Sequence, residues 1–313
     1  DLVTGFSPRV LQLGQQLELI LDPARPMTSE LAANELPRLA YVSPMPPHRT
    51  GIADYSAELL PALAKYYQID VIVESSNNLP EGSGYQLRDP QWLTANAASY
   101  SAVLYHFGNS PWHCYMVDLI EKVPGIIVLH DFYLSGLIWS MENQPGFGGI
   151  KLRELYYSHG YSALIDARDD EAQIAIQYPF NRSILQRAQG VIVHSAVSLR
   201  LAEQWYGAEA CADWVQIPLR RELADESGKD EACAVARKAL KLPDDAFVVC
   251  SFGMLGITKL NDRLIEAWLA SDLANDPDCY LVFVGELGND DYGQSLRDQL
   301  KASGPEARIS ITG

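Results

Sequence analysis

The chain has 313 residues, of which 48% are hydrophobic and 20% charged, so it is long enough for two domains with cores of their own. The formal net charge is −16, and acidic residues outnumber basic ones on both sides of Arg220. No basic stripe is therefore predicted that would bind nucleic acid or anionic lipid. Five cysteines without a Cys-x-x-Cys pair indicate reduced thiols in a cytoplasmic protein. The longest apolar run, 125–141, is too short and too polar at its centre for a membrane span, so any contact with the inner membrane would be peripheral.

Residues 1–36 contain one helical pattern, which we interpret as a linker or docking helix of a longer polypeptide. Short apolar runs then alternate with helical patterns as far as Arg220. Runs that are apolar on both faces and rich in β-branched residues are typical of parallel strands covered by helices on both sides. The segment 37–220 is therefore predicted to be one doubly wound, Rossmann-like α/β domain. Its strands are predicted at 39–43, 69–74, 102–106, 126–130, 191–194 and 214–218, and its helices at 52–67, 112–122, 132–141, 151–162, 180–188 and 198–206.

The same alternation restarts after a charged stretch at 220–230, so 221–313 is predicted to be a second Rossmann-like domain. Its strands are predicted at 247–252, 280–285 and 308–312, and its helices at 231–240, 262–271 and 292–302. A parallel sheet that ends on a bare strand would leave its last faces uncovered. We therefore expect this second domain to be incomplete and the polypeptide to continue after residue 313.

Ligands of open parallel sheets bind beyond the carboxyl ends of the strands, so the residues that follow each strand are the candidates. After the first strand, a Pro-rich loop leads to Gly51 at the start of a helix. A helix N-terminus that begins with glycine would let backbone N–H groups approach an anion. A plain strand-to-helix turn is the alternative interpretation. Asp54 and Tyr55 follow on the same helix.

Three later strands are also followed by polar side chains. Asn109 and Ser110 are placed either to cap the next helix or to contact a ligand. His130 and Asp131 emerge together after the fourth strand, where a neutral imidazole could hydrogen-bond a substrate hydroxyl. The carboxylate could hold the histidine tautomer, accept a substrate hydroxyl or cap a helix. Ser195, after the fifth strand, is either a helix N-cap or a site residue.

In the second domain, the loop from Gly253 to Lys259 follows a strand and opens a helix. Its lysine is placed where a diphosphate could bind. The loop is not a Walker A loop, because the pattern G-x-x-x-x-G-K-[ST] is missing. Gly285 and Glu286 end the next strand and are expected to face the same ligand.

Other classes of site lack their sequence signals. The six histidines are scattered without the paired spacing of a zinc site, so no metal is predicted. The absence of G-x-G-x-x-G disfavours a nicotinamide or flavin enzyme, and the absence of G-x-S-x-G disfavours a hydrolase. No cofactor is therefore predicted.

Six segments of the chain occur in an order that resembles one family. They are 43–56, 107–110, 124–131, 193–195, 252–259 and 283–285. Over about 38–313 the chain resembles the family-4 retaining glycosyltransferases (glycosyl transferases group 1), especially the bacterial branch that builds surface polysaccharides. Each segment is weakly specific alone, and their shared order carries the resemblance.

The resemblance implies a GT-B fold, in which an N-terminal acceptor domain and a C-terminal donor domain are both Rossmann-like. It implies metal-independent transfer of a hexose with retention, from a nucleotide-diphospho-sugar to a glycan or lipid-linked acceptor, with GDP-mannose as the expected donor. On this basis His130 and Asp131 are assigned catalytic roles. Donor binding is assigned to Gly51, Gly253, Lys259, Gly285 and Glu286, and acceptor binding to Asp54, Tyr55, Asn109 and Ser195.

Two departures from the family pattern qualify this interpretation. Met254 occupies a position where the family often has arginine, so Lys259 would be the chief cation of the donor loop. The family's pair of donor-binding glutamates is expected beyond Gly313, and this piece alone is expected to bind donor weakly and to be inactive. Two alternatives stay open. One is a non-catalytic scaffold or glycan-binding domain of a larger protein, and the other is a sugar-nucleotide epimerase of the same two-domain shape.

Overall fold

The structure is a computed structural model, and it describes residues 36–74, 85–219 and 227–313. The chain divides into two compact units at residues 222 and 223. The helix predicted within 1–36 lies outside the described residues, as does most of the charged stretch in which the domain boundary was predicted. No helix in the described ranges is long and apolar enough to cross a membrane.

Unit 1 is built on a parallel sheet of seven strands. They follow the order β3-β2-β1-β4-β5-β6-β7, and each neighbouring pair is parallel. The strands are β1 Arg38–Val42, β2 Gln68–Ile72, β3 Gln86–Arg88, β4 Ala102–Phe107, β5 Ile126–Leu129, β6 Gly190–Val193 and β7 Val215–Gln216. The chain adds strands on one side of β1 as far as β3 and then continues on the other side with β4. A parallel sheet binds its ligands at this kind of switch point in strand order.

Both faces of this sheet are buried at its centre, which explains why its central strands are mostly apolar. In β1, Leu39 and Tyr41 pack into the core on one face, and Ala40 and Val42 pack into a separate core on the other. All four side chains are fully buried. Successive side chains of a strand point to opposite faces, so a strand covered on both sides has few polar positions, and a polar side chain there, such as His106 of β4, is buried.

Helices connect these strands and cover both faces. They are α1 Gly51–Leu63, α2 Pro90–Asn96, α3 Cys114–Lys122, α4 Ser135–Glu142, α5 Ile150–His159, α6 Tyr161–Asp169, α7 Glu171–Gln177, α8 Arg182–Leu185 and α9 Ala196–Tyr206. Five of them, α4 to α8, lie between β5 and β6. The described connection between β5 and β6 therefore contains helices and no strand.

The structure differs from the sequence prediction in the shorter elements. The edge strand β3 and helix α2 were not predicted, although Asp89 caps α2 by accepting a hydrogen bond from Trp92 N at 2.6 Å. The helix predicted at 151–162 ends at His159, because Gly160 has a positive φ of 80°. The helix predicted at 180–188 shrinks to α8, since Phe180 also has a positive φ of 52°.

Unit 2 contains a parallel sheet of three strands in the order β10-β9-β8. The strands are β8 Phe247–Phe252, β9 Cys279–Val284 and β10 Ile309–Ile311, and the helices are α10 Lys229–Ala239, α11 Asn261–Leu269 and α12 Asp291–Ser303. Its core is small and centres on Ile265, Leu281 and Phe283, which are fully buried. Both units thus have the βα alternation and parallel pairing that the sequence predicts.

Candidate functional site

Three histidines meet at the carboxyl end of the sheet in unit 1. Strands β5 and β6 pair with Leu129 opposite Val193, so the next residues, His130 and His194, lie side by side. Their ring centroids are 4.7 Å apart. His106, near the end of β4, has its ring centroid 5.3 Å from that of His130. Three neighbouring strands therefore contribute one imidazole each to what we call the histidine layer: His106, His130 and His194.

Helix α1 covers the histidine layer with the ring of Tyr55. The centroid of this ring lies 5.1 Å from that of His130 and 5.5 Å from that of His194. Tyr55 is buried, and burial raises its pKa to about 12. The residue was predicted to contact the acceptor, and the structure places its ring against the imidazoles inside unit 1. The acceptor contact stays a prediction, whereas the packing of Tyr55 against His130 and His194 is seen in the structure.

Within the layer, His106 and His130 share a hydrogen bond. Nδ1 of His106 lies 3.0 Å from Nε2 of His130. The His106 side chain is fully buried, and its Nε2 has no hydrogen-bond partner among the described residues. Burial, with the neighbouring imidazoles, lowers the pKa of both rings well below the usual histidine range. Both rings are therefore neutral near pH 7.

Two further imidazoles contact backbone carbonyls. Nδ1 of His194 lies 2.8 Å from the carbonyl oxygen of Ile217, and because a carbonyl only accepts, Nδ1 is the protonated nitrogen of this neutral ring. Nδ1 of His113 lies 3.2 Å from the carbonyl oxygen of Ser110 and 3.0 Å from its hydroxyl, which can donate or accept, so these contacts do not fix the tautomer of His113. Burial lowers the pKa of His194 and lowers that of His113 to about 4.

Hydrogen bonds tie the loops after β4 and β5 together. The N–H of Asn109 donates to Oδ2 of Asp131 at 2.8 Å, and the N–H of His130 donates to the carbonyl of Phe107 at 2.9 Å. The side-chain oxygen of Asn109 accepts from Leu137 N at 3.0 Å. Asn109 therefore caps α4 rather than the helix that follows it directly. Asp131 is engaged by a backbone donor, and the partner of His130 is another imidazole rather than this carboxylate.

The first turn of α1 lies against the same loops. Thr50 caps the helix by accepting from Ala53 N at 3.0 Å. In the part of the chain that the structure describes, the N–H groups of Gly51 and Ile52 have no acceptor. A Cβ added to Gly108, in the loop after β4, would lie 2.3 Å from Cδ1 of Ile52, which shows how closely the two segments meet. The helix start that carries these two backbone donors thus lies against the loop after β4, whose Asn109 is hydrogen-bonded to Asp131.

Gly51 itself is not required by the packing or the backbone of unit 1. A Cβ added there would have no atom within 4 Å, and the residue has no positive φ. Asp54, in the first turn of the same helix, is exposed. Ser195 occupies the N-cap position of α9, but its side chain makes no capping hydrogen bond. Gly51, Asp54 and Ser195 are therefore not fully explained by local structure.

In unit 2, the loops after β8 and β9 approach each other through glycines. A Cβ added to Gly285 would lie 2.0 Å from the carbonyl oxygen of Gly253, and Gly253 has a positive φ of 117°. The N–H of Gly253 donates to the carbonyl of Val284 at 3.0 Å, and that of Leu255 to the carbonyl of Glu286 at 2.9 Å. Both predicted glycines are thus brought together by backbone contact.

The charged candidates of unit 2 lie on exposed loop positions. Lys259 ends a single 3-10 turn immediately before α11, and its side chain is exposed. Glu286 is exposed as well, and 62% of Met254 is accessible to solvent. Leu260, between Lys259 and α11, has a positive φ of 53°. The structure thus places Lys259 at the start of a helix, in a loop with a strained backbone.

His106 and His194 are the site residues that sequence reasoning missed. Both end a predicted strand, and His194 also lies in one of the six family-like segments. That they meet His130 follows only from the strand order β4-β5-β6, which the sequence does not state. Among the described residues there is no group of three or more histidine, cysteine or acidic side chains arranged to hold a metal ion.

No protein-family profile matches this chain, and no curated protein sequence matches it. Among solved structures, the chain is similar to a glycosyltransferase from Rickettsia africae ESF-5, with a TM-score of 0.51 and 13% identity over 89% of this chain and 68% of that one. It also aligns with WaaG, a glycosyltransferase involved in lipopolysaccharide biosynthesis, with a TM-score of 0.45 and 11% identity over 88% and 69% of the two chains. A third alignment, with Phytolacca americana UGT2, has a TM-score of 0.41 and 11% identity over 88% and 71%.

The similarity to the Rickettsia africae structure identifies the fold of this chain. At 13% identity it establishes architecture only, and the architecture is that of a GT-B glycosyltransferase. The predicted α/β fold class, with two Rossmann-like parallel-sheet units, is therefore confirmed. The assignment to family 4 and to its surface-polysaccharide branch stays a prediction.

Proposed function

We propose that this chain belongs to a glycosyltransferase that moves a sugar from a nucleotide-diphospho-sugar to a glycan or lipid-linked acceptor. The observation that carries the proposal lies at the carboxyl edge of unit 1, where the start of α1 packs against the loop after β4, which is hydrogen-bonded to Asp131. The N–H groups of Gly51 and Ile52 at this helix start have no acceptor among the described residues. Donors of this kind suit an anionic or strongly polar ligand. The fold supports the same class, because it is that of a GT-B glycosyltransferase.

We assign the donor site to unit 2 by the same reasoning. Gly253 and Gly285 bring bare backbone together at the ends of β8 and β9, as a ligand that lies on backbone requires. Lys259 supplies a cation at the start of α11. In a protein with a net charge of −16, phosphate binding has to rely on such local features.

The chemistry we propose is transfer with retention, without a metal ion or an enzymic nucleophile. The bond from the anomeric carbon to the diphosphate breaks, and a bond from that carbon to the acceptor oxygen forms on the same face. The acceptor proton passes to the departing phosphate oxygen. This reaction needs position and charge stabilisation, which backbone N–H groups, an imidazole and a lysine provide.

The finer assignments also belong to this proposal. A hexose, with GDP-mannose as the first donor to test, and an acceptor of a surface polysaccharide follow from the family resemblance. The exposed Met254, where that family often has arginine, favours the alternative of a non-catalytic domain. The proposed enzyme acts in the cytoplasm or at the inner membrane surface.

The decisive experiment is calorimetric titration of GDP, UDP, dTDP and ADP into the full-length polypeptide. We expect one diphosphate to bind, and Lys259→Ala to weaken its binding by about 1–3 kcal/mol, the range for a charged hydrogen bond. The matched control is Lys238→Ala, because Lys238 is an exposed lysine on α10 of the same unit. Gly51→Ala tests unit 1, since its new methyl group meets no protein atom and reports ligand contact alone.

Turnover then separates the candidate functions. Incubation of the matching nucleotide-sugar with a lipid-linked acceptor fraction should release the diphosphate, and the anomeric configuration of the product should match that of the donor. Isomerised donor without acceptor would indicate the epimerase instead. Absence of both binding and turnover in the full-length polypeptide would overturn the proposal in favour of a scaffold domain.

A further inference from the structure

The chemical role of His130 depends on which of its two nitrogens carries the proton. Nε2 faces His106 at 3.0 Å, so Nδ1 is the nitrogen left for a ligand. A neutral imidazole has one donor nitrogen and one acceptor nitrogen. If Nε2 accepts from His106, Nδ1 of His130 is a donor; if Nε2 donates, Nδ1 is a bare acceptor that could serve as a base.

The buried end of His106 distinguishes these two states. Its Nε2 has no hydrogen-bond partner within residues 36–74, 85–219 and 227–313, and its side chain is fully buried. If His106 accepted from His130, this orphaned nitrogen would have to carry the proton of the ring. A buried N–H without an acceptor is rarer in proteins than an under-satisfied acceptor. The arrangement that avoids it has His106 donating from Nδ1.

A neighbouring ring provides independent support. The Nε2 atom of His194 is also buried without a partner among the described residues. The partner of its Nδ1 is a backbone carbonyl, which fixes the proton on Nδ1. Where the structure determines the tautomer, the orphaned nitrogen is therefore the acceptor. His106 has the same orphaned Nε2 and the same engaged Nδ1.

We infer that His106 is a positioning residue that fixes His130 in its Nδ1–H tautomer, so that His130 acts on substrate as a hydrogen-bond donor and not as a base. The role of His130 toward substrate rests on the proposed function, whereas its tautomer does not. No hydrogen bond joins Asp131 to His130 among the described residues, where the Oδ2 of Asp131 accepts from the N–H of Asn109. A donor at this position also agrees with transfer by retention, in which the leaving phosphate takes the acceptor proton.

The direct test is long-range 1H–15N NMR of the protein labelled with 15N-histidine near pH 7.5. Only six histidines are present, and His130→Gln assigns the signal of interest. We expect the Nδ1–H pattern for His130 in the wild type, and movement toward the Nε2–H pattern in His106→Leu. His106→Asn restores a donor near the Nδ1 position and should restore the first pattern. His159, which packs against Tyr178 and Trp205, serves as the internal control and should not change.

The wild-type spectrum alone decides the tautomer, even if His106→Leu does not fold. An Nε2–H pattern for His130 in the wild type would overturn the inference. An Nδ1–H pattern that persists in a folded His106→Leu variant would overturn the positioning role of His106.

A kinetic comparison tests the donor role in the full-length polypeptide. His130→Asn keeps a hydrogen-bond donor near Nδ1 but cannot act as a base, so kcat should fall about tenfold, against about a hundredfold for His130→Ala. Equal losses in the two variants would contradict the donor role. If the wild type transfers no sugar at all, the proposed function fails, while the NMR result still decides the tautomer.

Discussion

The two units build their strand ends in opposite ways. In unit 1, side chains make the hydrogen bonds between the strand ends, since His106 bonds to His130 and the carboxylate of Asp131 accepts from the backbone N–H of Asn109. In unit 2, the corresponding loops meet through backbone, with Gly285 against Gly253, and the charged Lys259 remains exposed. Unit 1 therefore holds its polar groups in place without a ligand. In unit 2, two strand ends meet where neither glycine has a side chain.

This difference indicates where substitutions should act. At the carboxyl edge of unit 1, folding does not require glycine at position 51, because a Cβ added to Gly51 would meet no atom. This edge is stabilised instead by buried imidazoles and by hydrogen bonds between loops. In unit 2, stability at the same kind of edge depends on the missing Cβ itself. The predictions below test this contrast.

The largest effect is expected from Gly285→Ala. The new methyl group would lie 2.0 Å from the carbonyl oxygen and 2.7 Å from the carbonyl carbon of Gly253, and neither atom can move as a flexible side chain can. We expect a loss of about 3 kcal/mol in the stability of unit 2. Hydrogen–deuterium exchange with peptide resolution measures the two units separately.

The matched control for this prediction is Gly51→Ala in unit 1. Its methyl group meets open space at a helix start, so stability should be unchanged or rise by up to about 1 kcal/mol. Equal destabilisation by the two substitutions would show that the contrast between the units is wrong.

The next effect is the pH dependence that the buried histidines give to the stability of unit 1. The pKa of His113 falls to about 4 on folding, from 6.5 when exposed, because burial disfavours the charged ring. Between these values the unfolded chain binds a proton that the folded chain does not. The contribution of the neutral His113 ring to stability is therefore fully present above pH 6.5. As the pH drops toward 4, the free energy of unfolding falls by about 1.4 kcal/mol per pH unit. The lowered pKa values of the histidine layer make the fall steeper.

Unit 2 provides the comparison, because the chain has no histidine after His194. We expect denaturant titrations between pH 7.5 and 4.5, followed by hydrogen exchange, to show a steeper loss in unit 1 than in unit 2. His113→Leu should reduce the slope of unit 1 by about 1.4 kcal/mol per pH unit, whatever it does to stability at pH 7. An unchanged slope in that variant would show that His113 titrates normally in the folded protein.

The sequence was sufficient for the strands that are apolar on both faces. Runs such as β8 Phe247–Phe252 were predicted to the residue, because β-branched and aromatic residues leave little alternative. Edge strand β3 was missed since Gln86–Arg88 is polar and three residues long, and its pairing with β2 is tertiary. The helix predicted at 151–162 ends before Gly160, because a pattern of apolar residues does not state where the chain turns, and α7 was not predicted.

The site was predictable only in part, and for a related reason. Position after a strand identified His130 and Asp131 as candidates, and both lie at the carboxyl edge of the sheet, while their roles stay predictions. Their partners depend on which strands are neighbours, so the bond from His106 to His130 was not foreseen. Asn109 was expected either to cap the helix that follows it in sequence or to contact a ligand. Its side-chain oxygen accepts from Leu137 N in α4 instead of from that helix, and the ligand contact stays a prediction.

The smallest effect concerns the backbone strain beside Lys259. Leu260 has φ 53° and ψ 38°, a left-handed conformation in which a Cβ costs about 1–2 kcal/mol, and 51% of its side chain is exposed. Leu260→Gly should therefore stabilise unit 2 by about 1 kcal/mol, after the greater flexibility of glycine in the unfolded chain is subtracted. Leu260→Ala is the matched control, because it removes the exposed side chain and keeps the strained Cβ. Equal stability of these two variants would locate the cost in the leucine side chain rather than in the backbone.

A gain specific to glycine, with unchanged nucleotide binding, would mean that unit 2 tolerates strain at this loop without using it to position Lys259. If nucleotide binding weakens while stability rises, the strained backbone positions the lysine, and unit 2 would then resemble unit 1 in being organised before its ligand arrives.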